Sequence, residues 1–270
     1  MCLRDIAANT LLDSALFQQP VLLDALVPHL KVLELEHDDQ QFAGLLRSPP
    51  LFGLWGTVIL DFDKVSDKTD AAVFASLHWL GVRSQGLETI RINLAIASQA
   101  TADRVMRYLA ALVGSLASSP TPLQYHIYVE DIAANTLLDS ALFRQPVFLD
   151  MFVPRLKVLE LEHHNDFTDE QLSVLPQLTA LHRLSMEDLG DDGIPLAVPA
   201  NMSALTGLIE FAINSPPEDP AFLSNLHQLT NLQLINGLPT TVDHLRDLSN
   251  LRLLMLIACD LRDFPDPMCS

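Results

Sequence analysis

His163 and His164 are followed closely by Asp166 and Asp169, residue types that bind divalent cations. A built metal site wants two such side chains on one helix face at i and i+4, or a thiolate among the ligands. Neither is present, so these four are expected in a loop and no metal is assigned. The cysteines, Cys2, Cys259 and Cys269, are too few for a disulfide framework in 270 residues. No Ser-His-Asp or Cys-His group has local support, and neither G-x-x-x-x-G-K-[ST] nor G-x-G-x-x-G occurs. Ten glycines in the whole chain leave little to build a phosphate cradle from. Trp55 and Trp79 fall in apolar clusters and are expected to pack rather than to hold a ligand. The chain is therefore expected not to be an enzyme and to carry no cofactor.

What remains is charge placed at alternate positions. Glu34, Glu36, Asp61, Arg91, Tyr128, Glu130, Glu160, Glu162 and Glu187 each alternate with apolar residues. A period of two is that of a strand with one face buried and one face open. These nine residues are the candidate partner-binding set, on the inner face of a sheet. Further along, the same positions hold Ala212 and Asn214, Gln233 and Ile235, Met255 and Ile257. An acidic stripe that gives way to an apolar patch suits a protein partner with a basic and apolar surface.

The elements that must carry these residues are visible as a repeated phrase. Leu251-Arg-Leu-Leu254-Met-Leu256-Ile-Ala-Cys259-Asp-Leu261 fits L-x-x-L-x-L-x-x-C-x-L. The first half, L-x-x-L-x-L with apolar substitutes, begins again at Leu30, Leu87, Leu156, Leu181, Leu208 and Leu229. Val58–Asp61 and Ile127–Glu130 are degenerate versions. Asp131–His163 is also a near-copy of Asp5–His37, with five differences in 33 positions. The pairs that differ are Gln18/Arg144, Leu22/Phe148, Ala25/Met151, Leu26/Phe152 and His29/Arg155, so only one repeat is duplicated at this identity. A self-similar chain is expected to stack its units, because one unit cannot bury its own apolar face.

This phrase resembles the leucine-rich repeat family, and the likeness covers nearly the whole chain. The lead-ins Val198-Pro-Ala-Asn-Met202-Ser-Ala-Leu205 and Leu238-Pro-Thr-Thr-Val242-Asp-His-Leu245 look like the short repeats of intracellular plant-type arrays, or of ribonuclease-inhibitor-like ones. The resemblance implies an α/β solenoid of about ten repeats, curved, with a parallel inner sheet. In the family an Asn or Cys three residues past the last strand leucine ties down the turn. Here only Cys259 fits, while Asp38, His164, Leu189, Pro216 and Gly237 stand at the other equivalent places.

The connections divide the array. Residues 1–165 have room for helices, with capping-box spacing at Thr10-x-x-Asp13, Thr136-x-x-Asp139 and Thr168-x-x-Gln171. Pro20 and Pro28, with Pro146 and Pro154 in the second copy, are expected to break the return path. A helical stripe runs through Val105, Leu109, Leu112 and Leu116. In residues 166–270 the connections shorten, and tight turns or 3₁₀ segments are expected. Met1–Arg4 reads as part of a strand and Leu261–Phe264 as the lead-in to a further repeat. Neither end shows a polar cap, so a longer array or a cover over the ends is expected.

The formal net charge of −18 would repel phosphate backbones and argues against nucleic acid. No apolar run approaches the roughly 18 residues that cross a bilayer, and Asp5 and Asp13 interrupt any leader-like segment. A reducing, cytoplasmic setting is the simplest expectation. The function these readings favour is a non-catalytic scaffold that binds a protein on the inner sheet face. The alternatives implied by the resemblance are the recognition arm of an F-box type ubiquitin ligase and the sensor region of an intracellular immune receptor.

Overall fold

The computed structural model describes residues 32–35, 57–61, 73–74, 77–78, 87–96, 98–116, 123–131, 150, 152–163, 172–188, 198, 200–214, 217, 219–235 and 243–257. The chain forms two compact units, Met1–Tyr128 and Val129–Ser270. The expected strand at Met1–Arg4, the three capping boxes, Pro20, Pro28, Pro146, Trp55, Trp79 and all three cysteines lie outside the described residues, whereas Pro154 lies in the turn just before Leu156.

In the first unit the strands are β1 (Val32–Leu35), β2 (Thr57–Asp61), β3 (Thr89–Ile96) and β4, which opens at Gln124 and runs to Asp131. They lie side by side in chain order. β1, β2 and β3 are parallel, with Leu33 beside Val58 and Val58 beside Ile90, then Leu35 beside Leu60 and Leu60 beside Ile92. Val58, Leu60, Ile90 and Ile92 are buried. The helix α1 (Gln99–Leu116) follows β3. Ser98 starts it, its Oγ accepting from the Thr101 amide at 3.2 Å and so satisfying one of the free N–H groups of the first turn. Val105, Tyr108, Leu109, Leu112 and Leu116 form its buried stripe, and the Tyr108 ring meets Phe74 edge-on at 5.3 Å.

The second unit shows the repeat most plainly. β5 (Leu156–His163), β6 (Arg183–Asp188), β7 (Glu210–Ile213), β8 (Asn231–Ile235) and β9 (Leu253–Ile257) are parallel and neighbour one another in chain order. Register aligns the strand leucines into two ladders. One runs Leu159, Leu184, Phe211, Leu232, Leu254, and the other Leu161, Met186, Ile213, Leu234, Leu256. The first four members of each ladder are buried, whereas Leu254 is 36% exposed. Each fully buried aliphatic side chain contributes about 1.5–3 kcal/mol, so the ladders are a substantial part of the unit's apolar core.

The connections of the second unit are 3₁₀ segments at Leu175–Gln177, Ala200–Ala204, Pro220–Asn225 and Asp243–Asp247. From Ile213 to Leu234 and from Leu234 to Leu256 the chain has only 21 and 22 residues. That length leaves no room for several α-helical turns between two reversals of direction. Asp219 caps the Pro220–Asn225 segment by accepting from the Ala221 amide at 2.9 Å, and Pro220 supplies the fixed φ of a first helical residue. Phe222 from this segment meets Phe211 edge-on at 5.9 Å under the sheet.

Each return then closes with the same turn. The amides of Leu181, Leu208, Leu229 and Leu251 donate to the carbonyls of Leu178, Leu205, Leu226 and Leu248. One strand plus one return per repeat, with leucines stacked from repeat to repeat, is a leucine-rich repeat solenoid architecture.

Candidate functional site

Residues between the ladder positions point away from the core, because successive strand side chains alternate between faces. In the second unit, register sorts them into three rows across the open face. The first row is Val158, Arg183, Glu210, Asn231, Leu253. The second is Glu160, Ser185, Ala212, Gln233, Met255. In the third, Glu162 is beside Glu187 and Ile235 beside Ile257. Asn214 lies between these pairs, one residue beyond β7, its amide donating to the Met186 carbonyl.

Three of the nine candidate residues, Glu160, Glu162 and Glu187, are therefore brought together on β5 and β6. Besides the two outward positions per strand expected from the sequence, the strands carry a third. Arg183, at the start of β6, places its Nε 3.2 Å from Glu160 Oε1 and its Nη1 3.4 Å from Glu210 Oε2. One guanidinium thus joins carboxylates from the strands on either side of its own. The signal was available: in Leu181-His-Arg183-Leu184 the residue just before the second leucine has the outward parity. Glu160 and Glu210 each present one carboxylate oxygen to that arginine. Glu187 is exposed, and Glu162 is half-buried beside it. The two carboxylates hold directly neighbouring positions of the register.

The far end of the same face is apolar. Leu253, Met255 and Ile257 of β9 are 42%, 38% and 44% exposed, with half-buried Ile235 next to them. The change of character falls between β7 and β8.

A basic and partly basic group borders the mouth of β5 and β6. Lys157 Nζ donates to the Ala180 carbonyl at 3.3 Å and lies 3.4 Å from His182 Nε2. The His182 pKa is held below the ordinary imidazole value, first because part of the ring is withdrawn from water and second because of the Lys157 charge.

In the first unit the candidates lie on their own strands. Arg91 is exposed on β3, its Nε donating to Asn93 Oδ1 at 3.2 Å. Register sets Arg91 beside Ile59, Asp61 beside Asn93, and Glu34 beside Ile59. Tyr128 is half-buried on β4, and Glu130 belongs to the same strand. Glu36 lies outside the described residues, as do His164, Asp166 and Asp169. Among the described residues no group of three or more His, Cys, Asp or Glu is placed to hold a metal ion. No described helix is long and apolar enough to cross a membrane.

No family model matches the chain, and no curated protein matches it by sequence. Among solved structures it is similar to an internalin (inlF) from Listeria monocytogenes, at 17% identity and a TM-score of 0.47, over 83% of this chain. The match spans 58% of that internalin, less than two thirds of its length. It is also similar to an internalin C2 (inlC2) of the same organism, at 15% identity and a TM-score of 0.37, over 69% of this chain and 83% of that one.

Proposed function

We propose that the protein is a non-catalytic interaction scaffold that binds another protein on the open face of its repeat sheet. The observation that supports this most is the graded face of the second unit. Its acidic residues stand at one end, exposed apolar residues at the other, and the ion-paired Arg183 row runs along one side. Charge complementarity steers and orients an approaching partner, while a small apolar patch supplies the desolvated centre of a protein contact. The partner is a protein with a basic region beside an apolar one.

The test is site-specific photo-crosslinking in the native cell. A photoreactive amino acid at Gln233, in the middle of the open face, is expected to capture protein partners. The same residue at Asn225, in the Pro220–Asn225 return, is expected to capture none of them. Capture of the same partners from Asn225, with none from Gln233, would move the binding surface off the sheet and overturn the proposal.

A further inference from the structure

We propose that the edge of β9 is a self-association surface, on which a second copy of this chain pairs its own β9 antiparallel about Met255. The proposed function concerns the open face of the sheet. This inference goes beyond it and concerns the sheet's edge.

Strand β9 has β8 on one side, and among the described residues no strand lies on its other side. In a parallel ladder, alternate residues turn both backbone groups to the same neighbour. The Leu253 amide donates to the Thr230 carbonyl at 2.9 Å, so Leu253, Met255 and Ile257 are the residues that bond to β8. Leu254 and Leu256 therefore direct their N–H and C=O groups to the open edge.

The layer beneath that edge is open as well. Leu223, Leu229 and Leu232 are buried, whereas Leu245, Leu251 and Leu254, their counterparts one repeat on, are half-buried or exposed. On the face above, Leu253, Met255 and Ile257 are exposed. Natural sheets protect an edge with a charge or a proline in the strand, and Leu253–Ile257 has neither. A strand added here gains backbone bonds and apolar contacts on both faces at once.

Register points to a second copy as the occupant. With Met255 opposite its own equivalent, Leu254 faces Leu256 of the second copy, and Leu256 faces that copy's Leu254. These are hydrogen-bonded positions, so each pair exchanges both of its N–H···O=C bonds. Opposed residues of an antiparallel pair share a face. The Leu254–Leu256 pairs thus carry the buried ladders of one copy on into the other. On the open face Leu253 meets Ile257, so every cross-strand pair is apolar. One patch serves both copies, and a two-fold rotation closes the assembly.

Charge permits the approach. A net charge of −18 opposes self-association in general, but β8 and β9 contain no ionisable residue. The next strand inward is β7, which carries Glu210. With paired strands about 4.8 Å apart, the β7 strands of the two copies stand about 24 Å apart. That is more than twice the screening length of about 8–10 Å at moderate salt.

The test is sedimentation equilibrium of the full chain. The patch is small beside a standard interface, so a monomer–dimer equilibrium is expected within about 1–100 μM. Leu254→Pro removes an edge-facing donor and no bond to β8, and it is expected to weaken the dimer at least tenfold. Met255→Lys and Met255→Glu, on an exposed position, are each expected to weaken it at least tenfold. An equimolar mixture of these two is expected to associate about tenfold more tightly than either alone, since position 255 faces itself. Leu253→Lys mixed with Leu253→Glu is expected to gain nothing comparable, because Leu253 faces Ile257.

A chain that stays monomeric up to about 100 μM would overturn the proposal. Assembly that grows past the dimer would overturn the two-fold closure, and a dimer indifferent to Leu254→Pro would overturn the edge. An equal gain from mixing at positions 253 and 255 would overturn the register. Capture of partners at Gln233 by a strictly monomeric chain leaves the proposed function standing and ends this inference. Circular dichroism of each variant separates lost association from lost folding.

Discussion

Asn250 donates from Nδ2 to the His227 carbonyl at 2.7 Å, and Gly207 holds the equivalent place two repeats earlier with no side chain to donate. A Cβ added at Gly207 would sit 3.5 Å from the Thr179 carbonyl, the counterpart of His227, and 3.4 Å from that of Leu181. Both are ordinary contact distances. Gly207→Asn is expected to raise stability by about 1 kcal/mol, from one new hydrogen bond and a less flexible unfolded chain. Gly207→Ala is expected to supply only the second part. Thermal melts of the two variants beside the parent check this, and an Asn variant no more stable than the Ala one would contradict it.

Arg183 links three strands, but it is half exposed, so its ion pairs are discounted for solvent screening. A double-mutant cycle of Arg183→Gln with Glu160→Gln is expected to give a coupling of about 0.2–1 kcal/mol. Denaturant titrations in 1 M salt should shrink that coupling further. A coupling that is unchanged by salt would mean the two side chains communicate through packing.

His182 carries a pH signature whose sign follows from its lowered pKa. With the folded value below the unfolded one, the unfolded chain binds more protons in the interval between them. Stability from this group is therefore complete above the ordinary imidazole value, about 6.5, and is lost as pH falls through the folded value. The imidazole signals in an NMR titration should show a midpoint below that of a free peptide. Lys157→Met should raise the midpoint part of the way, since burial is the larger cause. A midpoint at or above the peptide value would refute the assignment.

Position along the ladder should set the cost of losing a leucine. Leu232 is 0% exposed between Phe211 and Leu254, whereas Leu254 is 36% exposed. Leu232→Ala is expected to cost about 2–5 kcal/mol, and Leu254→Ala clearly less, because less surface returns to water. Urea unfolding of the two variants ranks them, and equal costs would be the contrary outcome.

The fold was legible wherever two leucines alternate with exposed residues. Leu232 and Leu234, Leu159 and Leu161, and even the degenerate Val58 and Leu60 all fall on the buried side. Period two is imposed by the backbone and needs no partner to be seen. The site was legible in part, since Glu160, Glu162 and Glu187 have the outward parity that the pattern assigns. Arg183 and Glu210 were missed because only two outward positions per strand were counted.

The family pattern places the tie between repeats, an Asn or Cys, in the turn after each strand. Among the described residues, two such ties occur before a strand. Thr230 Oγ1 donates to the Ile209 carbonyl at 3.2 Å, and Asn250 reaches His227. Both reach from one repeat to the one before it. That relation depends on which residues become neighbours after stacking, which no local pattern carries.

Within each unit every described strand is paired with the strands next to it in the chain, and that arrangement bears on how such a gene can change. Inserting one whole repeat severs a single interface and creates two of the same kind, so an unequal exchange yields a foldable product at once. The 33-residue near-copy puts almost the same residues at two separate points of the array. Its two glutamates met different neighbours on arrival: Glu34 stands beside Ile59, and Glu160 lies within reach of Arg183. A duplicated residue can thus acquire a new electrostatic role without any substitution of its own.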